Sequence, residues 1–465
     1  MTSLPTQELT AAVLALKKSV AAAAAQPHPP GRLIRAAAPA APVSPPDWLA
    51  AQSGSTQYYW SDRHGAFEMA GIGEGDAVSP ANGPEGWPAL FTLLRDRLPA
   101  GQSPARYYGG FRFQPRHGRA SRWRDFSGYR FVAPLIELHR HRGATTLSAN
   151  LMADGGGGVR DAAERALAAL DRMSLEPAQK PAAPQSHTRE DRPDREEWEA
   201  MVRRALDAFA DGALRKVVLA RETRFVTDTA LDPVAVLRRL IRNTRHSFCF
   251  CFHPAEDRAF LGASPERLFR RAGNLLESEA LAGTCGRDPD PAADAALAAG
   301  LLSSEKDRRE QAMVADALRE LFGHWCGTVT MDPEPALLTL LHCRHLLTRI
   351  SGTLRGPADD AALLAALHPT PAVGGVPRRA ALDWIAREEP FDRGLYAAPV
   401  GWIAADSAEF CVAIRSGLVK GNTLTVYNGA GIVPGSEPAA EWREIETKMR
   451  NFIRVLRHDG TRHGT

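Results

Sequence analysis

The chain has 465 residues, 44% of them hydrophobic, which is enough to bury one large core or two to three ordinary ones. Its 57 basic and 54 acidic residues nearly balance, which argues against a general nucleic-acid binder with a concentrated basic surface. The six cysteines (Cys249, Cys251, Cys285, Cys326, Cys343 and Cys411) include no C-x-x-C pair, so neither a disulfide framework nor a zinc site is expected, and a reducing cytoplasm fits best.

Residues 1 to about 25 predict a marginal helix. With Glu8, Lys17-Lys18 and a short, weakly apolar alanine run, neither a signal peptide nor a membrane span is expected there. The Pro/Ala stretch 26–46 reads as a loose tether or an extended edge segment. Between Tyr58 and Leu151 short alternating runs such as Phe111-Arg112-Phe113 and Tyr129-Arg130-Phe131-Val132 recur between turn residues, so this part is strand-rich. The arginines from Arg112 to Arg124 read as a solvated or strand-flanking surface rather than an RNA site. Glycines 155–158 predict a flexible turn before a helix through Leu170, and the proline-rich, charged segment 176–194 predicts a linker. The divisions expected are therefore 1–46, 47–175 and 195–458.

Beyond the linker, residues 196–214 predict an amphipathic helix, Lys216-Val217-Val218-Leu219-Ala220-Arg221 a strand, and 232–243 a helix with Pro233 in its first turn. Strands follow at 248–252, where Cys249 and Cys251 alternate with phenylalanines, and then at 258–263 and 268–279. Ser304 and Asp307 make a capping-box-like start to a long helix reaching Phe322. Strands near Val400, at 411–415 and at 423–428 lead into a final helix. Grouped strands with interspersed helices favour an α+β fold.

The richest segment is Tyr427-Asn428-Gly429-Ala430-Gly431-Ile432-Val433, followed by a helix carrying Glu441, Glu444, Glu446 and Lys448. Glycines let backbone N–H groups approach an anion, and neighbouring carboxylates can hold a metal, so a small carboxylate or phosphate substrate is indicated. Glu441, Glu444 and Lys448 share one helical face, although an intrahelical Glu444–Lys448 pair, worth about 0.3–0.5 kcal/mol, is the plainer account. Lys216 lies in an apolar strand, as either a snorkelling lysine or a buried general base. Glu266, at a strand junction, is either a surface partner of Arg267 or a general acid. Glu310, among charged neighbours, reads by composition as a solvated helix face. His345 and His368 are lone histidines, more often structural than catalytic. The Pro/Gly-rich loop from His368 to Gly375 has the rigidity of a binding-site wall.

Taken together and in order, these segments resemble the chorismate-utilising enzymes, and among them the isochorismate synthases of menaquinone and siderophore pathways. The resemblance rests on the Lys216–Arg221 run, Gly262-Ala263-Ser264-Pro265-Glu266-Arg267-Leu268, Ala282-Gly283-Thr284, Ser304 to Glu310, His345-Leu346 and His368 to Gly375. It continues through Gly401-Trp402, Ala413-Ile414-Arg415-Ser416, Gly429 to Val433 and Glu441 to Lys448, and covers roughly residues 195–455. It implies one large body, two antiparallel β-sheet layers with helices packed outside, in which the 176–194 segment is a surface crossing and the N-terminal strands join the same body.

The resemblance further implies Mg²⁺ held by Glu310 and Glu444. Chorismate would be contacted by Gly283, Thr284, His345, Tyr396, Arg415, Gly429, Ala430, Gly431 and Lys448. Lys216 would be the general base that activates water for attack at C2, and Glu266 the general acid that protonates the departing C4 hydroxyl on the opposite ring face. Anthranilate synthases typically carry glutamine at position 216, and aminodeoxychorismate synthases a lysine where this chain has Ala282. No glutaminase motif is fused here, so no amidotransferase subunit is expected. Salicylate synthase, which adds pyruvate elimination, is the alternative, and a degenerate binding protein the further one. The expected setting is a cytoplasmic monomer or homodimer with neither nucleic-acid nor membrane partners.

Overall fold

A computed structural model describes residues 4–54, 56–98, 105–114, 121–153, 158–176, 186–357 and 359–456. Twenty strands among them are linked by hydrogen bonds into one sheet system, and every pairing in it is antiparallel. Strands from the two halves of the chain are interleaved. Gln57–Ser61 pairs with Phe248–Ala255, and Tyr107–Phe111 with Pro399–Ile403. The α+β expectation of antiparallel β layers with helices outside holds.

Period-2 alternation explains how the sheet is buried on both faces. In Phe248–Ala255 the phenylalanines 248, 250 and 252 join an aromatic core with Trp60, Trp123, Phe260, Phe410 and Tyr427. Cys249 and Cys251 point the other way, into an aliphatic core under the outer helices. The helix Leu4–Ala24 supplies Leu9, Val13, Leu16 and Val20 to that second core, a spacing of four, three and four that keeps them on one stripe. Among the described residues no helix is long and apolar enough to cross a membrane, and all six cysteines are free thiols.

One expectation is decided and one needs correction. Residues 32–40, read as a loose tether or an extended edge segment, are the latter, the strand Arg32–Ala40 along Ala144–Ala153. The alanines there are small enough to sit beneath the first helix (Ala36 and Ala38 are buried), and Pro39 is tolerated because the strand has one neighbour only. Arg35 is anchored as well, donating from both terminal nitrogens to the buried Glu137 carboxylate at 3.1 Å. The expected linker also ends early. Ser186–Arg192 is a strand on Lys216–Thr227, and Asp194 with Glu197 forms a capping box on the helix Arg195–Ala210. The charges that suggested solvent are paired there: Thr223 Oγ1 donates to Asp191 at 2.6 Å, and Arg189 reaches Glu446. Residues 177–185 of the expected linker, 155–157 of the glycine turn and 115–120 of the arginine segment lie outside the described residues.

Candidate active site

The strand Lys216–Thr227 organises the site. Along one edge it pairs with Thr423–Ile432, setting Gly429 opposite Ala220 and Gly431 opposite Val218. Near its start it pairs with Gly375–Val376, so the rigid loop and the glycine pair flank the same lysine. Arg393 clamps this junction, donating to Val373 O at 2.9 Å and to Val218 O at 2.7 Å.

Beside these strands lies a cavity lined by Glu266, Gly283, Thr284, Glu310, His345, Tyr396, Arg415, Gly429, Gly431, Glu444 and Lys448. Of the thirteen residues expected from the sequence, Lys216 and Ala430 alone are not part of this lining. Lys216 stands directly behind it, wholly buried, with Nζ donating to Glu310 Oε1 at 2.9 Å. The Ala430 side chain is packed in the aromatic core instead, so any contact it makes there belongs to its backbone. The loop expected to wall the site contributes Ala372 and Val373. His368 does not reach the cavity. It is buried, its Nε2 lies 3.1 Å from Phe113 O, and burial pushes its pKa down to about 3.

Glu266 is buried at 4% exposure and is not the partner of Arg267, which pairs with Glu409 at 3.1 Å. Its backbone is pinned by Ser264, whose hydroxyl accepts from Glu266 N at 3.2 Å and donates to Val412 O at 2.6 Å. Burial, reinforced by the charge of Glu279 and opposed by Lys216 and Lys448, pushes the Glu266 carboxyl up to about 8. It is therefore a protonated acid at neutral pH.

The final helix, Pro438–Val455, presents three acids, and their partners separate them. Glu441 is buried against Lys306 at 2.8 Å, and Glu446 pairs with Arg221 at 2.7 Å. Glu444 alone opens into the cavity. Burial acts to raise its carboxyl, but Lys448 at 2.6 Å, with Lys306 behind, outweighs burial and holds it below the usual range. Lys448 also donates to Gly429 O at 3.0 Å, tying the helix to the glycine strand. Glu310, read from composition as solvated, instead faces inward from the Ser304-capped helix Glu305–Trp325.

The glycines answer to close packing. A Cβ on Gly431 would lie 2.3 Å from Glu310 Oε1 and 3.2 Å from Lys216 Cε, and one on Gly429 would lie 2.9 Å from the Tyr396 hydroxyl. Because the intruded atom at 431 is the end of a flexible carboxylate, Gly431→Ala is expected to fold with an unchanged denaturation midpoint. It should lose at least tenfold in kcat/KM, since a displacement of about 1 Å costs orders of magnitude in rate. Parallel melting curves and steady-state assays check this. Gly283, at φ +72°, makes a bulge where the ladder shifts between Ala282 and Thr284, bringing Thr284 opposite His345. The His345 Nδ1 lies 3.1 Å from Gly283 O and its Nε2 lies 3.0 Å from Arg415 Nη2. That network assigns the ring hydrogen to Nδ1. Arg415 itself sits at φ +52°, a left-handed backbone that a non-glycine residue holds only when its surroundings fix it.

Sequence reasoning missed Asn428 and Cys343. Asn428 lines the cavity, and its buried Nδ2 has no protein partner. The available signal was a carboxamide inside an apolar strand directly before the glycine pair. Cys343 touches both Arg415 and His345, and its signal was the two-residue spacing that puts it on the His345 face.

A family model described as chorismate binding enzyme matches residues 18–457. The chain belongs to this chorismate-binding family. It is 33% identical over 409 residues to the chloroplastic isochorismate synthase of Catharanthus roseus, covering 85% of this chain and 70% of that protein. Isochorismate synthase MenF of Bacillus subtilis (strain 168) is 32% identical over 418 residues, or 86% of this chain and 88% of the relative. Among solved structures, the menaquinone-specific isochorismate synthase MenF of Escherichia coli superposes with a TM-score of 0.84 at 30% identity, covering 97% of this chain and all of that one. The family match begins at residue 18, inside the first helix, and takes in the Arg32–Ala40 strand, well before the motifs that carried the resemblance.

Among the described residues no three His, Cys, Asp or Glu side chains group closely enough to hold a metal on their own. Two carboxylates, Glu310 and Glu444, nevertheless line one cavity, and the half-buried Asp307 beside them has its carboxyl raised, by desolvation first and then by their charges. Two hard oxygen donors in an acid-rich pocket fit a small divalent cation that takes the rest of its shell from water and substrate.

Proposed function

We propose that this chain is an isochorismate synthase, converting chorismate to isochorismate with Mg²⁺, for menaquinone or siderophore formation. One observation carries the reading: a single cavity joins a protonated carboxyl, Glu266, to two lysine–carboxylate pairs, Lys216–Glu310 and Lys448–Glu444. The relatives' names agree with it.

In this reading Glu310 and Glu444 hold the metal, which supplies charge stabilisation for a substrate carboxylate. Gly283, Thr284, Gly429, Ala430 and Gly431 offer backbone groups to the same end of the substrate. Arg415 and Tyr396 face the other carboxylate, for which the planar guanidinium is well shaped, and Lys448, one turn beyond Glu444, adds positive charge on the substrate side. His345 lines the ring pocket. Glu266 carries the proton to the C4 hydroxyl as it leaves. Lys216 takes a proton from the water that attacks C2, for which its amine must first part from Glu310 and give up the proton it donates there. Two groups are required because one cannot serve both faces of the ring.

Purified protein incubated with chorismate and Mg²⁺ is expected to yield isochorismate alone, and a chelator in excess to stop turnover. Salicylate with pyruvate would favour salicylate synthase, the second reading, and no product under any condition would sink both.

A further inference from the structure

We propose that Cys343 is a positioning residue for substrate binding, whose sulfur holds the Arg415 guanidinium open toward an incoming carboxylate. This rests on the reading of Arg415 as the group that meets a substrate carboxylate.

Cys343 begins the strand Cys343–Leu354, two residues before His345, so both side chains share one face. Its Sγ lies 3.4 Å from Arg415 Nη2 and 3.6 Å from His345 Nε2, while that imidazole nitrogen lies 3.0 Å from the same Nη2. One guanidinium nitrogen is thus shared between a sulfur and an imidazole, leaving the other two uncommitted to them.

Arg415 is buried at 7% exposure, and among the described residues it forms no ion pair with a carboxylate. A buried cation without any acceptor is costly. A carboxylate partner would satisfy it bidentately and then compete with the substrate for the same fork. Sulfur avoids both outcomes. It is a soft, single acceptor that engages one nitrogen and is too weak a competitor to keep a carboxylate away. The left-handed backbone at Arg415 fixes where the side chain starts, and Cys343 fixes where it ends.

Cys343→Ala is expected to raise KM for chorismate about tenfold, the usual worth of a hydrogen bond to a charged group, with kcat within twofold. Cys343→Ser, which keeps an acceptor and fits the same space, should stay within threefold of the parent KM. In an Arg415→Lys background, where the fork is absent, Cys343→Ala should change KM no further, because the two residues act as one unit. The proposal is overturned by an unchanged KM in Cys343→Ala, by equal penalties in both backgrounds, or by failure of both cysteine variants to fold, which would make the residue a packing element. An unchanged KM in Arg415→Lys alone would instead reject the reading of Arg415 on which the proposal rests.

Discussion

Glu266→Gln is expected to lower kcat by about 10²–10⁴-fold, the usual contribution of a positioned proton donor, while making the protein more stable at pH 8. The first effect follows because glutamine matches the shape of the acid but has no proton to give. The second follows from linkage. The unfolded carboxyl titrates near 4.5 and the folded one near 8, so between those values the unfolded chain has already lost a proton that the native state keeps. The favourable contribution of Glu266 is complete below pH 4.5 and lost as pH rises through 8. At pH 8 the wild type carries a penalty on the order of 4 kcal/mol that glutamine lacks. Urea midpoints at pH 5 and pH 8 should therefore diverge between the two proteins as pH rises, and the wild-type kcat/KM profile should have its alkaline limb near 8. Equal midpoints at pH 8, or an acid limb in place of the alkaline one, would reject Glu266 as the proton donor.

Lys216→Ala should abolish measurable turnover, again by about 10²–10⁴-fold, but that variant alone is ambiguous because it strips Glu310 of its partner at 2.9 Å. Lys216→Arg resolves the ambiguity. Arginine retains the cation and an N–H donor for Glu310 yet does not give up its proton in proteins. Both variants are expected to be inactive while binding chorismate within about tenfold of the parent. More than a tenth of parental kcat in Lys216→Arg would remove Lys216 from the base role and leave it as a structural counter-ion.

The two residues differ in how far the sequence revealed them. Lys216 was visible as an anomaly, a charge in an apolar strand, though nothing local distinguished a snorkelling lysine from a buried one. The difference lies in Glu310, 94 positions away, which composition placed on a solvated face. Glu266 looked like half of a pair with its neighbour Arg267 until the fold gave that arginine to Glu409. Local pattern also sorted elements well wherever alternation was strong, as in the Phe/Cys strand at 248–252. It left 32–40 undecided between a tether and an extended edge segment, because alanine and proline do not announce the helix that covers them, and it failed at 186–192, where charge signals coil but acidic partners alongside make a strand satisfactory. Cys343 stayed hidden because its significance depends on Arg415, which arrives from a different strand turn. The family resemblance supplied the connections that spacing could not.

The pairing of Thr423–Ile432 with Lys216–Thr227 has a consequence for how such a site tolerates change. The glycine floor is matched to the lysine strand by hydrogen-bond alignment, Gly431 to Val218 and Gly429 to Ala220, while side chains on a strand alternate with a period of two. Sliding either strand by one residue would bring Asn428 or Ala430 to the glycine positions and turn Lys216 away from Glu310. The chemistry is thus encoded as a reading frame. Lengthening the tight connection at Gly421-Asn422, outside the paired stretch, preserves that frame, whereas one residue gained or lost between Thr423 and Ile432 shifts it and scrambles every group downstream at once.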